Sequence, residues 1–374
     1  MKAAFPRTEF LRVLQMVARA TATRSAIQAL AGVLLNADEN EIWLSATDTE
    51  IGLRARTDGT VERPGSLLLP GRLIVDILRV LDGETVSIEY QADRGQVEVV
   101  SGQARFAVKT FPVEDFPRLP AAPDTAAMKV PAAAFARAIE RVARAASRDE
   151  TRPVLTGILV SVSGQQLRMV ATDSYRLSVR EAPLDKSVAG EFEANVPARA
   201  LQELSRIVSD AEAEEISAAV QDNQIVFATG EVILSSRMIE GQFPNYQQLL
   251  PESYEHEVAL SRSEILGAVR RIGLMAQRNA PLRLKLEDGA MAISAQTPDV
   301  GEAAETLPVP YGAEPLEIGF NPQFLQDGLE AAESDEFRLK LISPLRPGLI
   351  EAGDDGDADD GRFLYLIMPV RLNV

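Results

Sequence analysis

The chain has 374 residues, with 55 acidic against 38 basic side chains, a formal net charge of −17, no cysteine and one histidine, His256. Without cysteine there are no disulfides, thiolate metal sites or cysteine nucleophiles, and a single histidine argues against histidine metal clusters and Ser-His-Asp catalysis. No run of 18 apolar residues and no apolar N-terminal core are present, so neither a membrane span nor a signal peptide is expected.

In chain order, Arg7 to Ala20 carries Phe10, Leu11, Leu14 and Val17 at helical spacing and is expected to form an amphipathic helix. Short strand-like segments follow, and one of them leads through Ile42-Trp-Leu into Ala46-Thr-Asp-Thr-Glu-Ile-Gly. A second helix is expected over 71–81, from the apolar positions 73, 74, 77, 78 and 81, ended by an Asp82-Gly83 turn. More strands lead to Phe116-Pro117 and a linker at 123–127. The plan then repeats. A helix is expected over 131–148, and Ala171-Thr-Asp-Ser-Tyr-Arg-Leu177 echoes the stretch at 46, 125 residues on. A helix near 197–208 follows, and Phe243-Pro244 returns 127 residues after Phe116-Pro117. A third copy is expected from a helix at 262–277, a second helix at 318–332 and closing strands, with the Thr-Asp signature degraded to Gln296-Thr-Pro-Asp299. Internal repetition at this period indicates a tandem array, and two amphipathic helices among about eight strands per copy indicate an α+β fold with helices on one face of curved antiparallel sheet.

The acidic balance taken alone argues against nucleic-acid binding, but the charge is unevenly placed. Arg137, Arg141, Arg144 and Arg148 fall on one stripe of the 131–148 helix, opposite its apolar face. Arg12, Arg19 and Arg24, Arg72 with Arg79, Arg199 with Arg206, and Arg262, Arg270, Arg271 and Arg278 mark the other helices. The last helix breaks the pattern with Asp327, Glu330, Glu333 and Asp335. Solvated surface arginines are one reading; a polyanion-facing helical surface that positions phosphates without reading bases is the other. The acidic loop Asp355 to Gly361 lacks the glycine and terminal carboxylate of a calcium loop. No phosphate-binding glycine motif is present, and no carboxylate pair is singled out for catalysis.

Three ordered motifs carry a family resemblance: the 171–177 stretch, Phe243-Pro-Asn-Tyr246 with Leu250-Pro251, and Met368-Pro-Val-Arg-Leu372. With the threefold repeat, the chain resembles the bacterial sliding clamps, the beta subunits of the replicative DNA polymerase (DNA polymerase III). The resemblance implies three clamp domains, at 1–122, 128–252 and 253–374, and a head-to-tail homodimer ring whose helices line a hole around double-stranded DNA. It implies a cytoplasmic processivity factor with no catalysis, cofactor, metal or membrane. Twelve lining helices about 9 Å apart, less a helix diameter of about 11 Å, leave a hole of roughly 23 Å, against a duplex about 20 Å across.

Weak, sequence-independent duplex binding is expected through Arg24, Arg72, Arg137, Arg141, Arg148, Arg152 and Arg199. By resemblance, the ring seam includes Phe106 and Val108 on one side and Leu274 and Met275 on the other. A pocket for short peptide motifs is implied, with walls Leu155, Thr172, Ser174, Tyr175, Arg176, Leu177, Pro244, Leu249, Asn321, Phe324, Leu345, Leu366, Met368, Pro369, Val370 and Arg371. Its implied partners are the polymerase alpha subunit, the clamp loader, repair polymerases, ligase and mismatch-repair proteins. Ordinary core is the competing reading for Leu155, Leu177 and Leu366, and Tyr175 stands where relatives carry small or histidine side chains. An enzyme with a carboxylate site and an interaction scaffold without DNA are the alternatives.

Overall fold

The computed structural model describes residues 1–39, 41–122, 126–211, 213–277, 280–352 and 361–372. Most of the acidic 351–361 loop, Arg278, Glu212 and part of the expected linker lie outside these residues. Among the described residues there are six α-helices: α1 (Arg7–Ala18), α2 (Gly71–Val80), α3 (Ala132–Val142), α4 (Ala198–Ala211), α5 (Arg262–Gly273) and α6 (Pro322–Ala331).

The repeat is visible as a recurring backbone joint. Three times a short strand runs directly into a helix: Lys2–Pro6 into α1, Met128–Pro131 into α3 and His256–Ser261 into α5. Each strand pairs antiparallel with the strand after the second helix of its repeat, namely Thr85–Gln91, Glu215–Gln221 and Glu336–Leu341. The first helical N–H, of Arg7, Ala132 or Arg262, donates to the carbonyl of Glu84, Glu214 or Asp335 at 2.8, 2.9 and 2.9 Å. One of the helix's otherwise unpaired amino-terminal donors is thereby satisfied. Repeats one and three share a second device. Arg7 donates to the Leu78 and Gly83 carbonyls, and Arg262 to those of Leu329 and Glu330, so the first residue of one helix neutralises the carboxyl end of its neighbour.

Several boundaries differ from expectation. α3 ends at Val142 and tightens into a 3-10 turn over Ala143–Ala145, so Arg144 and Arg148 leave the stripe that continuous helical spacing gave them. α5 stops at Gly273. The expected helix over 318–332 is a strand, Leu316–Phe320, followed by α6, because Asn321 caps the helix by accepting from Gln323 N–H and Phe324 N–H at 2.9 and 3.1 Å. Leu11 is only half-buried, and Val13 and Met16 complete the core face of α1.

The sheets do not follow the repeats. The chain forms two compact units, one of Met1–Ala133 with Arg206–Met238 and one of Ala134–Ser205 with Ile239–Val374. The middle repeat contributes to both. Its strand Val232–Arg237 pairs with Ile51–Arg56, making an eight-stranded sheet in the first unit. Its long strand Arg176–Pro197 pairs with Arg362–Ile367, making a six-stranded sheet in the second. The first unit also has a five-stranded sheet ending at Ala104–Lys109, and the second a four-stranded sheet ending at Gly301–Pro308.

In the second unit α6 rests on the six-stranded sheet through Gly328. A methyl group there would lie 2.5 Å from the ring of buried Tyr365. Gly328→Ala gains about 1 kcal/mol of helix propensity but forces the ring or the helix to move, at about 1–3 kcal/mol. Net destabilisation is expected in urea melts; a rise in stability would mean that α6 is free to lift.

Candidate functional site

The Thr-Asp stretches fold into one turn used twice. In the second copy the Thr172 hydroxyl donates to the Arg176 carbonyl (2.7 Å) and accepts from Ser174 N–H (3.2 Å). Asp173 Oδ1 accepts from the N–H groups of Tyr175 and Arg176 at 2.9 and 3.0 Å. In the first copy Thr47 bonds the Ile51 carbonyl and Thr49 N–H, and Asp48 bonds Glu50 and Ile51 N–H, in the same pattern. Ser174 and Thr49 adopt φ of 79° and 81°, a conformation these side-chain bonds help to hold. In the third copy Thr297 bonds the Met275 and Gln277 carbonyls instead, so a turn with Asp299 at φ 64° remains there but without the Thr-Asp side-chain bonds of the other two.

The two intact turns share Ala-Thr-Asp and differ over their last four positions, the last two of which set what packs against them. Arg176 and Leu177 of the second correspond to Ile51 and Gly52 of the first. Gly52 lets Leu119 approach so closely that a Cβ would stand 2.8 Å from Leu119 Cδ2. In the second copy Leu177 faces Leu366 across the strand pair. Both are buried with Val170, Val179, Tyr246, Leu349 and Leu364, and Phe243 and Leu250 pack against the cluster.

Arg176 fastens the second turn to its surroundings. Its Nε donates to Asp173 Oδ2 (3.0 Å), one terminal nitrogen to Asp327 and to the Tyr365 hydroxyl, and the other to the Arg144 carbonyl. The guanidinium lies 4.4 Å over the Phe324 ring, which stacks on Tyr175 with centroids 6.4 Å apart. Burial alone would lower the Arg176 pKa; Tyr365, Asp327 and Asp173 outweigh it and hold it above the ordinary arginine value. Burial pushes the Tyr365 hydroxyl up, so it remains a neutral donor to the Phe324 carbonyl at 2.9 Å. Sequence reasoning missed the part played by Asp327 and Tyr365. A carboxylate one residue before Gly328 and Leu329, on the buried side of α6, was the available signal.

The expected pocket residues separate into two layers. Leu155, Thr172, Leu177 and Leu366 are buried and lie in the core beneath the surface. Tyr175, Leu249, Leu345 and Met368 are exposed, four of the ten exposed large hydrophobics among the described residues. Met368 N–H donates to the Tyr175 carbonyl (2.9 Å) and Val370 N–H to that of Gly319 (2.8 Å), which lays Met368, Pro369 and Val370 beside the turn and close to the Asn321 cap. Ser174 and Pro244 are exposed. No hydrogen bond or ring contact among the described residues ties Leu345 or Arg371 to this group.

The arginine surface is thinner than expected. Arg141 is buried and donates to Glu333 from both Nε and a terminal nitrogen, so its guanidinium is engaged within the chain. Arg144 pairs with Glu330 and Asp327, Arg270 with Glu330 and Arg271 with Glu305. The acidic face of α6 thus neutralises cations of its own unit. Arg152 is exposed but donates to Asp149 and Ser174 at 3.0 and 3.1 Å. Arg24, Arg72, Arg137, Arg148 and Arg199 are exposed. Of the seam residues, Leu274 is exposed, Phe106 and Met275 are half-buried, and Val108 is buried.

The architecture of repeated strand–helix units carried on shared sheets is that of the sliding clamps. Models of the N-terminal, central and C-terminal domains of the DNA polymerase III beta subunit match residues 1–120, 129–245 and 247–371. The chain is 33% identical to the beta sliding clamp of Streptomyces coelicolor over 380 residues, covering all of both chains. It superposes over the full length of both chains on the DNA polymerase sliding clamp of Bacillus subtilis (28% identity, TM-score 0.92). It does the same on a Pseudomonas aeruginosa sliding clamp bound to griselimycin (28% identity, TM-score 0.90). The chain therefore belongs to the DNA polymerase III beta-subunit family of sliding clamps.

Glu330 sets a pH dependence. Partial burial would raise its carboxyl, but hydrogen bonds from Arg270, Gln326 and Arg144 outweigh that and hold it at about 2, against an ordinary 4.5. A carboxyl depressed on folding adds stability that is complete above about pH 4.5 and is lost as pH falls toward about 2. Glu330→Gln should cost on the order of 1–3 kcal/mol at pH 7, toward the lower end because Arg144 and Arg270 are solvated, and little at pH 2. Parallel stability–pH curves for the two proteins would contradict this.

Proposed function

We propose that the chain acts as a homodimeric ring that encircles double-stranded DNA and tethers polymerases and other replication and repair proteins to it, without catalysis of its own. The observation that carries this reading is a pair of unlike open sheet edges. Ala104–Lys109, at the end of the five-stranded sheet, presents Arg105 and Lys109, and Gly301–Pro308, at the end of the four-stranded sheet, presents Glu302 beside a Glu305 already paired with Arg271. Long edges seek a partner strand, and a heterologous contact between unlike ends closes a ring when two copies meet head to tail. Phe106 on one edge, with Leu274 and Met275 beyond α5, supplies apolar surface beside that seam, and Val108, buried in the same strand, is proposed to support it. Three domains at 1–122, 128–252 and 253–374 fit this scheme.

Arg24, Arg72, Arg137, Arg148, Arg152 and Arg199 are the residues proposed to face the duplex. The shelf formed by Tyr175, Leu249, Phe324 and Met368 over the Leu177–Leu366 core is the proposed docking site for extended partner segments. The polymerase alpha subunit, clamp loader, repair polymerases, ligase and mismatch-repair proteins would share it in turn. A cytoplasmic location goes with that work.

The wild-type chain is expected to have the mass of a dimer and to be retained on circular but not linear duplex DNA. Leu274→Ala with Met275→Ala should give folded monomers that lose retention; a dimer of unchanged strength would place the seam elsewhere. Few simultaneous phosphate contacts should give a shallow salt dependence, each contact contributing a slope of about −0.9 in log K against log salt.

A further inference from the structure

Arginine has five N–H donors and no acceptor. Arg176 makes four hydrogen bonds, to Asp173, Asp327, Tyr365 and the Arg144 carbonyl, and its face covers the Phe324 ring. One donor is left over, so the guanidinium is engaged inward and has little capacity to bind a partner directly. What it holds is the surface that a partner would meet. Its own backbone forms the end of the turn that presents exposed Tyr175, and Tyr175 stacks on Phe324, the ring beneath the guanidinium.

Two further residues hold the arginine. Asp327 is 8% exposed and also accepts from Gln323 Nε2 (2.9 Å) and faces Arg144 (3.6 Å). Tyr365 is 1% exposed, accepts from Arg176 and donates to the Phe324 carbonyl. Both lie below the surface and neither can touch a docked segment.

We infer that Asp327 and Tyr365 are positioning residues of the peptide-docking site: acting through Arg176, they fix the Tyr175–Phe324 shelf on which the partner's apolar anchor rests. This rests on the docking site proposed above. Removing either hold releases Arg176 to reorient. The Tyr175 turn and the Phe324 ring then sample arrangements in which the shelf is not flat, and the partner must bind against that disorder. Partner affinity should therefore depend on two buried side chains that make no contact with the partner.

The test uses the full-length protein and a fluorescein-labelled ten-residue polar peptide carrying one Leu and one Phe, followed by fluorescence anisotropy. Asp327→Asn and Tyr365→Phe should each weaken binding roughly tenfold, the usual scale of coupling between contacting residues, with the dimer mass unchanged. Tyr365→Phe preserves the packed ring, so it serves if Asp327→Asn fails to fold. The decisive measurement is a double-mutant cycle with Arg176→Gln. If Asp327 acts through Arg176, Asp327→Asn adds almost nothing in the Arg176→Gln background; if the two losses add, or Asp327→Asn and Tyr365→Phe bind the peptide as the wild type does, the inference is overturned. Leu249→Ala and Met368→Ala test the underlying site separately. Peptide binding indifferent to those two variants would remove the docking site and this inference with it, whereas binding that responds to them but not to Asp327 and Tyr365 removes the inference alone.

Discussion

A largely buried guanidinium has to be paired on every side, and in this chain that requirement draws four separate segments to one point. Arg176 takes acceptors from its own turn, from the end of the α3 region, from α6 and from the last strand. Leaving such a charge unpaired would cost several kcal/mol, so these segments hold one another in place. The exposed shelf of Tyr175, Phe324 and Met368 is a by-product of that constraint. Its apolar side chains stand in solvent because the backbone beneath them is fixed by polar bonds, not by their own burial.

The same economy governs charge across the second unit. A chain with a net charge of −17 has more carboxylates than it needs for solubility, and α6 and the turn after it direct several of them at arginines of their own unit. Glu330 alone meets Arg144 and Arg270, and Glu333 meets Arg141. Cations not held in this way, such as Arg137 and Arg148, are the ones that can still respond to a polyanion. A count of arginines along helices overstates such a surface, because the partners that neutralise them are distant in sequence.

Much of the fold was legible in the residues. Helical spacing located four of the six helices among the described residues and the repeat located the other two, and the echo of Ala171-Thr-Asp-Ser in Ala46-Thr-Asp-Thr located two turns with the same hydrogen bonds. The losses have definite causes. Arg141 looked solvent-facing because periodicity describes one helix alone, whereas it is buried and paired with Glu333, 192 residues away. Helical spacing also carried α3 past Val142, since nothing in Ala143-Arg-Ala145 forbids another turn. Leu177 and Leu366 pair across strands that meet only in the folded chain, so floor and rim of the site could not be separated in advance. Gly52 and Leu177 occupy equivalent places in the two turns, and the absence of a side chain at Gly52 lets Leu119 pack against that turn.

The sharing of sheets limits how such proteins can be recombined. Sequence repeats invite crossovers at the linkers, yet the ladder between Val232–Arg237 and Ile51–Arg56 joins the middle repeat to the first, and that between Arg176–Pro197 and Arg362–Ile367 joins it to the last. A chimera made by exchanging the middle repeat between relatives would have to rebuild both ladders between strands that had never adapted to each other. An exchange that moves residues 206–238 together with the first 133 would leave each ladder within one parent. The unit of inheritance that tolerates mixing is therefore discontinuous in the gene, although its repeats are contiguous.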